Sequence, residues 1–215
     1  MLGETERTIT HHYGVRRVFV GLLLSVVCTT ALSLVASNIV SDGGFESAVP
    51  QVYGPGPIGD GWNVVFGQID ILNNSQGDGI AHSGQQFADL DVGFASNELS
   101  QTLSTVAGQS YVVSFWLSDD VGGNTLEVNF GTVTLFNGTT PDLGSGNYEL
   151  LTYDVVASNG ATDLTFTSQY TNPGPGIGAV IDDVSVTAVP EPGTLVMFGS
   201  GIVSLMGVLG RKIIL

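Results

Sequence analysis

Apolar and polar residues alternate one by one through the middle of this chain. Tyr111, Val113, Phe115 and Leu117 are interleaved with Val112, Ser114, Trp116 and Ser118, the period-two pattern of a strand with at least one buried face. The alternation returns at Leu126-Val128-Phe130, at Val133-Leu135, from Tyr148 to Val156, at Leu164-Phe166 and from Ala179 to Thr187. Earlier strands are expected at Asn38 to Ser41, Trp62 to Phe66, Gln86 to Asp91 and Glu98 to Leu103. Gly, Asn, Asp and Pro clusters separate them, among them Gly54-Pro55-Gly56-Pro57, Asn73 to Gly79, Gly122-Gly123-Asn124, Gly144 to Asn147 and Asn172 to Gly178. Such residues set turns and end ladders. No stripe of helical period interrupts the series. About nine short strands at turn-punctuated spacing predict an all-β domain, a β-sandwich or jelly roll.

The two ends break the pattern. Within residues 1–37, Arg16 and Arg17 precede the apolar run Val18 to Val27, and small residues follow at Ala31, Ser33, Ala36 and Ser37. That is the grammar of a signal peptide, with cleavage near Ser37 and Ala36 or Ser33 as alternatives. His11 and His12 lie in the part destined for removal. Val27 stands before Cys28 where a lipoprotein signal needs a small residue, so no acylated N-terminus is expected. At the other end, Val189 to Thr194 forms a proline-rich stop that removes two backbone donors. Residues 195–210 then read as a transmembrane helix, uncharged from Leu195 to Leu209, before the basic end Arg211-Lys212. At about 1.5 Å per residue the run reaches roughly 22 to 27 Å, slightly short of a hydrocarbon core of roughly 30 Å.

Residues 189–215 resemble the PEP-CTERM sorting signal: Pro190-Glu191-Pro192, then a glycine-containing apolar helix, then Arg211 and Lys212. The departure is Ile213-Ile214-Leu215, which follows a basic pair where the family carries a longer run of arginines. The resemblance implies recognition by an exosortase, a membrane protease that removes the helix, with transient membrane contact through that helix. It implies export across the inner membrane and a final place at the cell surface, at the outer membrane or in an extracellular matrix. A plain single-pass anchor is the other reading. In both, the basic pair stays in the cytoplasm.

Between the ends lies a domain of residues 38–188. All 5 Lys and Arg residues fall outside it, whereas seventeen of the 20 acidic residues fall inside. A surface of one negative sign repels phosphates, which excludes nucleic-acid binding, and attracts cations. No cysteine lies in this part, so no disulfide holds it.

Several of its segments, taken in order, resemble jelly-roll domains of the galactose-binding-like superfamily, to which carbohydrate-binding modules belong. They are Asn38-Ile39-Val40-Ser41-Asp42-Gly43-Gly44-Phe45-Glu46, Gly61-Trp62, Ser83-Gly84-Gln85-Gln86 to Leu90, Leu99-Ser100-Gln101-Thr102-Leu103, Gly108-Gln109-Ser110-Tyr111 and Ile181-Asp182-Asp183-Val184-Ser185-Val186. The resemblance implies that first and last strands meet, often around a structural calcium, and that some relatives bind sugar. Calcium takes six to eight oxygens, and Glu46 with Asp182 or Asp183 stands at the implied positions. In a regular strand Asp182 and Asp183 face opposite sides, so at most one is a ligand unless a bulge intervenes. The competing reading has these acids capping turns or facing water. Asp89 and Asp91, on one face of a strand, are expected at a solvated surface.

Sugar binding needs aromatic platforms beside amides and carboxylates. Trp116, Tyr148, Tyr170 and Tyr53 are the candidate rings, and Gln68, Asn74, Gln85 and Gln169 the polar partners. Trp62 is expected in the core. Trp116 lies on a mixed face, which either looks to solvent or packs between the sheets. Catalysis is not expected: His82 is the domain's one histidine, with no lysine or cysteine beside it, and no Arg or Lys is available to tune a carboxylate pair. The sequence thus points to an exported, exosortase-processed, non-catalytic module associated with exopolysaccharide. The alternative is an acidic surface or biofilm matrix component without sugar specificity, and polysaccharide hydrolysis is the last reading.

Overall fold

The computed structural model describes residues 37–76, 79–93, 96–120, 122–169, 178–190, 199 and 201–202. The signal peptide expected over 1–37 lies outside them except for Ser37. So do the basic end at Arg211 and Lys212 and most of the expected helix at 195–210, of which Gly199, Gly201 and Ile202 are described and helical. Among the described residues no helix is long and apolar enough to cross a membrane.

The described part is a two-sheet antiparallel β-sandwich. Its strands are β1 (Val52–Tyr53), β2 (Gly56–Ile58), β3 (Trp62–Phe66), β4 (Ile69–Asn73), β5 (Gln86–Asp89), β6 (Ser96–Ser104), β7 (Ser110–Ser118), β8 (Thr125–Phe130), β9 (Val133–Thr139), β10 (Glu149–Val156), β11 (Ala161–Gln169) and β12 (Val180–Ala188). One six-stranded sheet, here sheet A, runs β1-β4-β5-β12-β7-β10; the other, sheet B, runs β2-β3-β6-β11-β8-β9. The inward positions of the alternation fill the space between them. Trp62 packs 5.3 Å from Phe45 and 6.2 Å from Phe166, which meets Phe115 edge-on at 5.2 Å. Rings so buried typically cost about 3 to 5 kcal/mol each when truncated to Ala. Trp62 is in the core as expected, and its Nε1–H donates to the Asp42 carbonyl at 2.9 Å.

The chain's start joins its last strand. Asn38 bridges Thr187, Ile39 N–H donates to Val186 O, and Val184 N–H donates to Gly43 O. At Gly43 the approach is so close that a Cβ would lie 2.1 Å from Val184 O. Opposite this contact β12 is irregular: its register against β7 shifts between Asp182 and Ser185, and Asp183 adopts φ 49.

Three strands escape the sequence reading. β1 and β2 are two and three residues long, and Pro57 sits in β2 at the sheet edge, where a missing donor is tolerated. β4 does not alternate because Ile71 and Leu72 are both buried. Its second face is covered too, by a small cluster of Leu72, Ala81, Phe87 and Val180 with Tyr148 packed against it. That cluster lies on the outer side of sheet A, beneath the segment joining β4 to β5.

Candidate functional site

That connecting segment forms a roof over sheet A. Asn74 organises its near end, accepting from Ala81 N–H at 2.7 Å through Oδ1 while its own N–H donates to Gln85 O. The far end is held by acids. Glu46 Oε1 accepts the N–H groups of Gln85 and Gln86 at 2.6 and 2.8 Å. It reaches them across Gly84, where a Cβ would sit 2.2 Å from that oxygen and where φ is 62. Asp182 Oδ2 accepts from Ser83 N–H at 3.1 Å, and Asp183 accepts from Ser83 Oγ and lies 2.7 Å from His82 Nδ1. The result seats the His82 ring flat on Trp116, centroids 3.8 Å apart and 17° between planes, with Tyr148 edge-on at 5.5 Å. Tyr148 Oη–H donates to Ile80 O.

Two of the four candidate rings therefore meet, but not as a bare platform. Trp116 projects from the outer side of sheet A, in register with Leu150 and Asp182, so packing between the sheets is ruled out. It is half-buried, and His82 covers one of its faces. Tyr53 stands apart on β1, with its hydroxyl donating to Val49 O, and Tyr170 lies outside the described residues. His82 carried no signal in the sequence beyond its solitude.

The calcium candidates border the same roof. The bulge in β12 turns Asp183 toward the side that Asp182 faces, so both reach Ser83, contrary to the rule for a regular strand. A Cβ placed on Gly44 would lie 3.7 Å from Asp182 Oδ1, 3.6 Å from Asp183 Oδ1 and 3.8 Å from Glu46 Cγ. Three hard-oxygen side chains thus surround one side-chain-sized space, which suits calcium in kind. They do not aim at a common point: among the described residues no three His, Cys, Asp or Glu side chains are gathered to hold a metal ion. Burial, with the neighbouring charge of Asp183, raises the Asp182 carboxyl to about 7 against the pull of N–H donors from Ser83, Asp183 and His82.

Asp89 and Asp91 are buried, not solvated. Asp91 accepts from Ser168 of sheet B and from Ala179 N–H, and Asp89 accepts from Asp91 N–H. Asp91 thereby ties the two sheets together at one end of the sandwich. Burial raises Asp89 to about 7 and Asp91 to about 6, with nearby Asp charges adding to each.

On the outer side of sheet B, by contrast, no covering segment is found among the described residues. Strand register lines up Glu98, Thr167, Glu127 and Asn137 in one row across β6, β11, β8 and β9. Glu127 accepts from Asn129 Nδ2 and Asn137 Nδ2, and Glu98 from Thr167 Oγ1. A groove of about 190 Å³ opens beside the row, lined by Ser96, Thr125, Glu127, Asn137, Thr167 and Gln169. At the β3 end a bulge sets Phe66 opposite Glu98 and leaves Val65 and Phe66 44% and 40% exposed. From Phe66 to Asn137 the row spans roughly 19 Å at a strand spacing of about 4.8 Å. Of these residues Gln169 alone was named from sequence as a polar partner for sugar. The others are the outward, polar half of the alternation, a signal that looks the same on any solvated strand.

A family model described as the PEP-CTERM protein-sorting motif matches residues 188–212. The chain carries a PEP-CTERM sorting motif. It contains Pro190, Glu191, Pro192, Arg211 and Lys212, the residues expected to form it; Pro190 is exposed and the other four lie outside the described residues. The PEP-CTERM segment follows β12 directly, with Val189 N–H donating to Ser110 O and Val189 O accepting from Gln109 Nε2 at 2.6 Å. No protein of curated function matches the sequence. Among solved structures, the sandwich ahead of the PEP-CTERM motif is similar to TmCBM61 in complex with β-1,4-galactotriose, at 17% identity and TM-score 0.43 over 72% of this chain and 100% of that one. It is similar also to the carbohydrate-binding module CBM6cm-2 from Cellvibrio mixtus lichenase 5A in complex with cellotriose, at 12% identity and TM-score 0.42 over 72% and 100%. A third is a structure described as CBM4, at 13% identity and TM-score 0.42 over 70% and 99%.

Proposed function

We propose that this is an exported, exosortase-processed, non-catalytic module of jelly-roll, galactose-binding-like type that holds exopolysaccharide on the outer side of sheet B. The observation that carries the reading is the row of Glu98, Thr167, Glu127 and Asn137, with a groove beside it and the exposed Val65 and Phe66 at its end. A pyranose has an apolar face and a rim of hydroxyls, and this surface offers an apolar pad followed by carboxylate, hydroxyl and amide partners. Between residues 38 and 189 the chain has no Lys or Arg, so the glycan is neutral or bears amino groups; a polyuronate would be repelled. In the non-catalytic reading, His82 and Ser83 both bond to Asp183, an arrangement that occupies the histidine without activating the serine.

Calcium in this proposal is structural. Glu46, Asp182 and Asp183 would have to turn toward one point beside Gly44 to hold it, and there its charge would offset buried acid. Thermal unfolding followed by fluorescence should then shift upward with added calcium and return with EDTA; an unchanged midpoint removes calcium from the proposal.

Affinity electrophoresis of the processed protein through a neutral glucan, a partly deacetylated amino-sugar polymer and a polyuronate tests the main reading. Retardation by either of the first two, weakened at least about tenfold by Glu127→Gln, which is about 1.4 kcal/mol, supports it. Equal mobility in all three gels overturns it. Such a result would favour a structural, acidic matrix component, a reading that draws on the absence of basic residues and that expects calcium-dependent self-association without sugar.

A further inference from the structure

The end of the sandwich from which the chain leaves for the sorting motif differs chemically from the rest. Three connected stretches build it: the turn between β6 and β7, the turn between β10 and β11, and the exit from β12. Backbone bonds knit them together: Gln109 N–H to Val106 O, Gly108 N–H to Ala157 O, Ala157 N–H to Gln109 O and Val189 N–H to Ser110 O. Val156 pairs with Ser110. On this framework Val106, Val156 and Val189 are 64%, 54% and 37% exposed.

No charged residue occurs from Leu103 to Ser118, from Val155 to Thr162 or from Val184 to Pro190. In a domain whose seventeen acids are spread from Asp42 to Asp183, this end gathers three exposed valines on uncharged stretches; Asp154, Asp163 and Glu191 flank it. Singly exposed apolar residues are ordinary, but three on one uncharged end, at the point of exit, are a patch with a direction.

The tether fixes what that patch can reach. From Val189 to Leu195 there are six residues, at most roughly 20 Å of extended chain. We infer that this end of the sandwich is its membrane-facing surface: while residues 195–210 are inserted, Val106, Val156 and Val189 rest against the lipid interface. The inference relies on the proposed anchoring of that segment. It goes beyond it by giving the folded domain an orientation. Acids at the opposite end, such as Asp119, then lie far from the bilayer, whose phosphate groups would repel them, and the processing site is held at the interface.

The test uses the full chain in zwitterionic phosphatidylcholine vesicles containing a spin-labelled lipid. A fluorophore is placed at Val106→Cys or at Ser145→Cys, each with Cys28→Ser. Ser145 belongs to the opposite end, where Leu143 N–H donates to Asp119 O just beyond β7. The inference expects protein that floats with the vesicles, quenching several-fold stronger at position 106 than at 145, and loss of that difference, with flotation kept, in a Val156→Asp background. Equal quenching in floating protein overturns the inference and leaves the anchoring reading standing. Failure to float overturns both. A difference that vanishes on dilution would mean that a second copy covers the valines, and also overturns it.

Discussion

The two outer sheet faces answer the same acidic composition in opposite ways. On sheet A the segment between β4 and β5 folds back as a roof, and Glu46, Asp182 and Asp183 are spent on holding it down. On sheet B, Glu98 and Glu127 stay partly exposed and, among the described residues, accept from Thr167, Asn129 and Asn137. Two of the rings that look like a sugar platform in the sequence, Trp116 and Tyr148, are roofed; the face left open among the described residues is polar with an apolar pad. A side chain's type indicates what it can bind, but register and covering segments decide whether it is available.

The largest expected effect comes from pH and acts at the end of the sandwich where Asp89 and Asp91 are buried. Asp89 and Asp91 sit at about 7 and about 6 in the fold, raised mainly by burial above the ordinary carboxylate range. A raised carboxyl means the folded state binds more protons than the unfolded one. Stability is then fully present below about pH 4 and is lost as pH rises through 6 to 7. From Asp89 and Asp91 together, chemical denaturation should show a gain on the order of 4 kcal/mol between pH 8 and pH 5, and Asp182, also raised to about 7, adds to it in the same direction; a flat profile would mean these acids are not desolvated.

Next in size is Asp182→Ala. It orphans the N–H groups of Ser83 and Asp183 and should cost about 3 kcal/mol in urea unfolding. His82→Ala, which uncovers Trp116, should cost about 1 kcal/mol and raise the accessibility of Trp116 to a collisional quencher. Smallest is Glu127→Gln on the open side, which should change stability by less than about 0.5 kcal/mol while weakening glycan binding. If Glu127→Gln destabilised the protein as much as Asp182→Ala does, the distinction between the two faces would fail.

The sandwich was legible because seven long strands, from β6 to β12, keep at least one face against the core, and alternation survives wherever one face is buried. It fails at β4, where Leu72 packs under the roof and Ile71 in the core, and at β1 and β2, too short to alternate. The sorting motif was legible because its composition is unlike that of the domain before it. The meeting of Trp116, Tyr148 and Asp183 was half legible: each residue was flagged, but the piece that joins them, His82, arrives through a loop whose path depends on Glu46 reaching across Gly84. The row on sheet B was hidden because outward Thr, Asn and Glu residues have no individual signature, and only register places four of them side by side.

The account turns on which face meets the glycan. Calorimetric titration of the processed protein with whichever polymer retards it, comparing a Glu98→Gln, Glu127→Gln double variant with His82→Ala, puts this most directly. The account predicts that the double variant abolishes the binding heat and that His82→Ala leaves the Kd unchanged. Binding that survives the double variant but disappears with His82→Ala would place the ligand on the roofed face and contradict it.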